Sequence, residues 1–161
     1  MLIVLKPVKI QAILARVLIK MPIIQREALL PYAPEALYDI VNDVEAYPEF
    51  LPWCTSSKVL ETTETEITAE LHLKKGVVSQ SFTTKNLLTP KSAMEMTLVD
   101  GPFKTLHGLW QFEPMGKGVK VSLVLEFEFA SGFLAKCVGP VFEKIAASLV
   151  DAFCQRAKDI L

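Results

Sequence analysis

The chain has little histidine and little cysteine. Only His72 and His107 are available as imidazoles, and Cys54, Cys137 and Cys154 as thiols. The cysteines are odd in number and widely spaced, with no C-x-x-C. That excludes a disulfide framework and a zinc site, and it points to a reducing cytosol. They read as buried or half-buried thiols. His72 falls on the outward face of its strand, and His107 alternates with the apolar face of its own. No Ser–His–Asp or Cys–His arrangement can be assembled from them. Neither G-x-x-x-x-G-K nor G-x-G-x-x-G occurs, so no glycine-rich phosphate loop is present. The carboxylates sit mostly on solvent faces. No catalytic residue, no metal ligand and no covalent or metal cofactor is therefore assigned.

A strong charge of one sign is also missing. The net charge is −1, and the first twenty residues hold Lys6, Lys9, Arg16 and Lys20 with no acidic residue. The remainder therefore carries a net charge of −5, with 13 Lys+Arg against 18 Asp+Glu. A general nucleic-acid binder would show a basic face, so no DNA partner is expected. Lys74, Lys75, Lys85 and Lys104 form the one local basic candidate.

No long uninterrupted hydrophobic run is present either. Residues 1–20, MLIVLKPVKIQAILARVLIK, are apolar but broken by charge, and too short for a confident membrane span. They lack a small-residue cleavage site of the signal-peptide kind. One reading is a basic amphipathic helix on a membrane surface. The favoured reading is a disordered or mis-assigned extension ahead of a domain that begins at Met21. Residues 21–161 then form a single domain, with no repeat, linker or low-complexity run.

What is there is a clear sequence of elements. Residues 23–30 read as a strand. Pro31 and Pro34 punctuate it, and a helix from Glu35 to Val44 follows, with Leu37, Ile40, Val41 and Val44 on one face. Pro48 and Pro52 limit a second helix, Val44 to Phe50, to a turn or two. Strands alternate from there. Ile67, Ala69, Leu71 and Leu73 face one way; so do Val78, Phe82 and Leu88; so do Met94, Met96 and Leu98. Leu106, Gly108, Trp110 and Phe112 share a face, and Val119 to Phe129 alternates throughout. Period-two patterning with short turns predicts an antiparallel meander, half buried.

The last stretch, Gly132 to Leu161, has helical spacing instead. Val138, Phe142, Ile145, Leu149, Phe153 and Ile160 form its apolar stripe, with Leu134 and Val141 flanking. Ser131 suits the N-cap, and Pro140 predicts a kink or a second start. The fold expected is α+β: a curved antiparallel sheet of about six or seven strands gripping a long C-terminal helix, with two short helices after the first strand. Such a sheet tends to leave an apolar cavity against the helix.

Two stretches are rich in large apolar groups, Tyr47 to Cys54 and Leu98 to Leu106. Patterning leaves two roles open for them, a plug for the end of the core or the lip of an apolar pocket.

VNDVEAYPEFLPWC (Val41 to Cys54), LVDGPFKTLHGLWQF (Leu98 to Phe112) and FEF (Phe127 to Phe129) resemble the coenzyme Q-binding START-domain family, closest to its bacterial branch of ribosome association toxins. The likeness runs from about Pro22 to Leu161, and the first twenty residues have no counterpart. The resemblance implies a START-like helix-grip fold and no catalytic residues. It implies two functions. One is binding of ubiquinone or another lipid in support of respiratory electron transfer. The other is a toxin that binds the large ribosomal subunit and blocks subunit association. Cousins in the superfamily are polyketide cyclases or dehydrases, but no acid–base pair can be carried over. The pocket lip is expected from Tyr47, Phe50, Leu51, Trp53, Phe103 and Leu106, and further lining from Met96, Trp110, Phe142, Ile145 and Leu149. The expected setting is the cytoplasm, with peripheral contact at the inner membrane.

Overall fold

The computed structural model describes residues 22–161; the expectations for residues 1–20 lie outside the described residues. Strand β1 is Ile23–Leu30. Helix α1, Pro34–Asn42, starts on Pro34, whose missing N–H would have no helical partner there. It buries Leu37, Tyr38, Ile40 and Val41. A 3-10 turn, Val44–Ala46, and a four-residue helix α2, Tyr47–Phe50, follow. Pro52 keeps α2 short. The strands are β2 (Cys54–Thr62), β3 (Glu66–Lys75), β4 (Val78–Thr89), β5 (Ala93–Asp100), β6 (Phe103–Met115) and β7 (Gly118–Phe129). Helices α3, Gly132–Cys137, and α4, Gly139–Ile160, close the chain.

All seven strands form one antiparallel sheet in the order β1-β7-β6-β5-β4-β3-β2. Strands β2 to β7 are a plain meander. The link from β1 to β2 must cross from one edge of the sheet to the other, and α1, the 3-10 turn and α2 span that distance. Extra residues interrupt the ladder at Thr55 and Leu60 in β2, Val99 in β5 and Lys104 in β6. Bulges of this kind bend a strand and sharpen its twist, so the sheet curves around α4. The even alternation of β7 is realised in full: Val119, Val121, Leu123, Leu125, Phe127 and Phe129 are all buried. This is the α+β helix-grip architecture.

Two expectations for the C-terminal segment are refined. Pro140 produces a second start rather than a kink: α3 ends at Cys137 and α4 begins with Pro140 in its first turn. Ser131 caps α3, its Oγ accepting from the Leu134 N–H at 3.2 Å. The buried face of α4 is also rotated from the expected stripe. It runs through Phe142, Ile145, Ala146, Val150, Phe153, Cys154 and Ala157, whereas Leu149 is half-buried and Ile160 is 52% exposed.

Candidate functional site

The concave face of the sheet and α4 do not close on each other completely. A cavity of about 80 Å³ remains between them. The sheet contributes Ala69, Leu71 and Leu73 from β3, Phe82, Thr84 and Asn86 from β4, Met96 from β5, Leu106 and Trp110 from β6, and Leu125 from β7. Helix α4 supplies Phe142, Ile145, Ala146, Leu149 and Phe153, and the segment before β2 supplies Val44, Tyr47 and Trp53. Four lining residues are only half-buried, Leu71, Phe82, Met96 and Leu149, and they mark where the cavity comes nearest to solvent.

Two aromatic clusters stand at the cavity. In one, Phe103 stacks on Phe129 at 5.0 Å, and Phe142 meets Phe127 edge-on at 4.7 Å and Phe103 at 4.9 Å. In the other, Phe153 meets Trp110 at 5.2 Å and Tyr47 and Phe50 at 5.3 Å each. Edge-to-face packing of this kind adds to plain area burial, and Phe142 and Phe153 bring the two clusters to the cavity.

Polar chemistry inside is sparse. The buried Tyr47 hydroxyl donates to the Val41 carbonyl, and burial pushes its phenol far above the usual range. Burial likewise pushes the Cys54 thiol up to about 11. Thr84 Oγ1 donates to Asn86 Oδ1 at 2.9 Å, with both residues buried. No charged or imidazole side chain is among the lining residues. His72 holds Ser81 Oγ at 2.7 Å and Ser79 Oγ at 2.9 Å on the outer face of the sheet. His107 Nε2 meets Glu95 Oε1 at 2.8 Å, with both side chains nearly half exposed. Neither histidine reaches the cavity.

Eight of the residues expected at the pocket line this cavity: Tyr47, Trp53, Met96, Leu106, Trp110, Phe142, Ile145 and Leu149. Three do not. Phe103 is a wall of the first aromatic cluster, 5% exposed, because it belongs to β6 rather than to a mobile loop. The turn before it is pinned, with Ala130 N–H donating to the Pro102 carbonyl at 2.9 Å. Gly101 there has φ +148°, and a Cβ on it would come 2.7 Å from Phe82 Cβ. Leu51 is 1% exposed and packs in the core. Phe50 is half-buried against Tyr47 and Phe153 without lining the cavity, and the Arg156 guanidinium lies 4.9 Å over its ring and pairs with Glu49 at 2.7 Å. Thr84 and Asn86 were missed. They share the even parity of Val78, Phe82 and Leu88, so their position was readable, but their polarity disguised it.

The basic candidate is partly neutralised. Lys85 pairs with Glu66 at 3.1 Å and Lys104 lies 3.9 Å from Glu128, whereas Lys74 and Lys75 are exposed at the end of β3. Among the described residues no helix is long and apolar enough to cross a membrane, and no group of His, Cys, Asp and Glu could hold a metal ion.

A curved seven-stranded sheet gripping one long helix over an uncharged cavity defines a helix-grip protein of the START-like kind. The chain belongs to the family described as polyketide cyclase / dehydrase and lipid transport, whose pattern it matches over residues 30–154. It is 53% identical over 138 residues to the ribosome association toxin RatA of Pseudomonas aeruginosa, covering 85% of this chain and 96% of that one. It is 31% identical over 141 residues to the mitochondrial coenzyme Q-binding protein coq10 of Schizosaccharomyces pombe, covering 81% of this chain and 83% of that protein. Its fold matches a START superfamily protein of Mycobacterium smegmatis with a TM-score of 0.69 at 18% identity, over 86% of this chain and 99% of that one.

Proposed function

We propose that this is a non-enzymatic binding protein whose cavity takes a neutral, largely apolar ligand, ubiquinone-like or another lipid, in support of respiratory quinone function. One observation carries the reading: the lining is predominantly apolar and carries no charged side chain. A quinone ring and its isoprene chain offer matching surface. The absence of an acid–base pair among the lining residues supports binding rather than turnover.

The ligand has to open its seat. A cavity of about 150 Å³ takes up benzene, and the space here is about 80 Å³. Met96 and Leu149, half-buried at the rim, are the side chains best able to swing aside. The protein would work in the cytoplasm and touch the inner membrane peripherally, where a polyprenyl quinone can be collected. Mass spectrometry of organic extracts of the purified protein tests this. A co-purifying quinone or neutral lipid in near-equimolar amount supports it. Extracts free of both, from a quinone-replete host, contradict it.

A second reading rests on the likeness to the protein named ribosome association toxin, at 53% identity over nearly its whole length. Here the partner is the large ribosomal subunit, and the outcome is inhibited translation. The two readings are compatible, since ligand occupancy could bias ribosome docking. Sedimentation with ribosomal subunits tests it: co-migration with the large subunit and loss of assembled ribosomes support it, and migration as free protein contradicts it.

A further inference from the structure

We propose that Asn86, oriented by Thr84, is the polar anchor of the cavity, and that it selects a neutral ligand carrying a carbonyl oxygen. The proposal rests on the ligand-binding reading above and names the chemistry of the ligand.

Asn86 sits in the interior strand β4, opposite Ile67 on one side and Met96 on the other. It is 3% exposed and lines the cavity. An amide at such a place is costly unless each of its groups finds a partner. Its Oδ1 accepts from Thr84 Oγ1 at 2.9 Å. Its Nδ2 makes no hydrogen bond to any described residue, which leaves two N–H donors at an apolar cavity wall. The amide orientation decides the ligand: with Oδ1 on Thr84 Oγ1, as the structure has it, Nδ2 presents donors and calls for an acceptor.

The surroundings set what that acceptor is. No lining side chain is cationic, so a carboxylate would enter as an unpaired charge in a low-dielectric space and is disfavoured. A hydrocarbon would fill the space and leave the donor unpaired. A ring or chain bearing a neutral carbonyl, as in a quinone, ketone or ester, satisfies the donor and buries the rest. Sites built to hydrogen-bond one group discriminate sharply against analogues that lack it.

The test uses the full chain and a matched pair of ligands: a decyl-tailed ubiquinone, and decylbenzene, which has the same tail on a ring without oxygens. Calorimetric titration should show the wild type preferring the quinone by about tenfold or more, the worth of one well-placed hydrogen bond. Asn86→Leu should bind both ligands alike, through a loss of quinone affinity only, and its unfolding midpoint should equal or exceed that of the wild type. An Asn86→Leu protein that keeps the full quinone preference overturns the anchor and leaves the cavity reading standing. Loss of both ligands together with a lowered midpoint overturns it in favour of a purely structural role. A wild type that binds neither ligand removes the anchor along with the reading beneath it. Should Asn86→Leu fail to fold, Thr84→Val takes its place: it removes one hydroxyl at nearly constant shape, and a wild-type quinone preference in that variant also overturns the proposal.

Discussion

The terminal methyl of Met96 lies in the space left by Gly108. The two are register partners on β5 and β6, and a Cβ at residue 108 would come 2.4 Å from Met96 Cε and 3.1 Å from Leu125 Cδ1. Gly108 is thus a socket for Met96, a flexible side chain of the cavity lining.

Gly108→Ala should therefore displace Met96 into the cavity. The expected result is at least about tenfold weaker binding of a short-chain quinone, with a stability loss of about 1–3 kcal/mol from overpacking. Calorimetry and urea melts measure the two effects. Unchanged binding would mean that Met96 turns away from the cavity.

The aromatic walls should behave as core. Phe103→Ala and Phe142→Ala are expected to cost about 3–5 kcal/mol each, since both rings are buried against several others. Ile160→Ala, on the exposed last turn of α4, should stay within about 0.5 kcal/mol. Denaturant midpoints decide this. A comparable loss at Ile160 would restore the helix face expected from the periodicity.

The three thiols should separate by reactivity. Cys137 is exposed, whereas Cys54 and Cys154 are buried. Burial raises both buried thiols, Cys54 to about 11, so the reactive thiolate is scarce at neutral pH. One equivalent of a maleimide should react quickly at pH 7.5 and map to Cys137, and the other two should label only on unfolding. Fast labelling at Cys54 would show that the segment between α2 and β2 opens readily.

The sheet was legible because its faces alternate cleanly; β7 could be read residue by residue from Val119 to Phe129. The helix face was less so. Periodicity marks large apolar residues, whereas the buried face also takes in the small Ala146 and Ala157. The cavity was legible where apolar residues line it, as at Trp110 and Ile145. It was not legible at Phe103, where a loop-like Gly101-Pro102 turn hides a pinned strand start. Nor was it legible at Thr84 and Asn86, because polar residues on an inward face look like solvent positions until the pairing of β4 with β3 and β5 is known.

Both tryptophans of the chain, Trp53 and Trp110, line the cavity, so a bound quinone should quench most of the intrinsic fluorescence. Titration of a short-chain ubiquinone into the full chain is the most direct test of the central claim. The account predicts saturable quenching at one equivalent, weakened in Gly108→Ala and retained in a still-folded Leu51→Val, whose side chain packs in the core without lining the cavity. Quenching that rises linearly without saturation, in detergent and out of it, would contradict it.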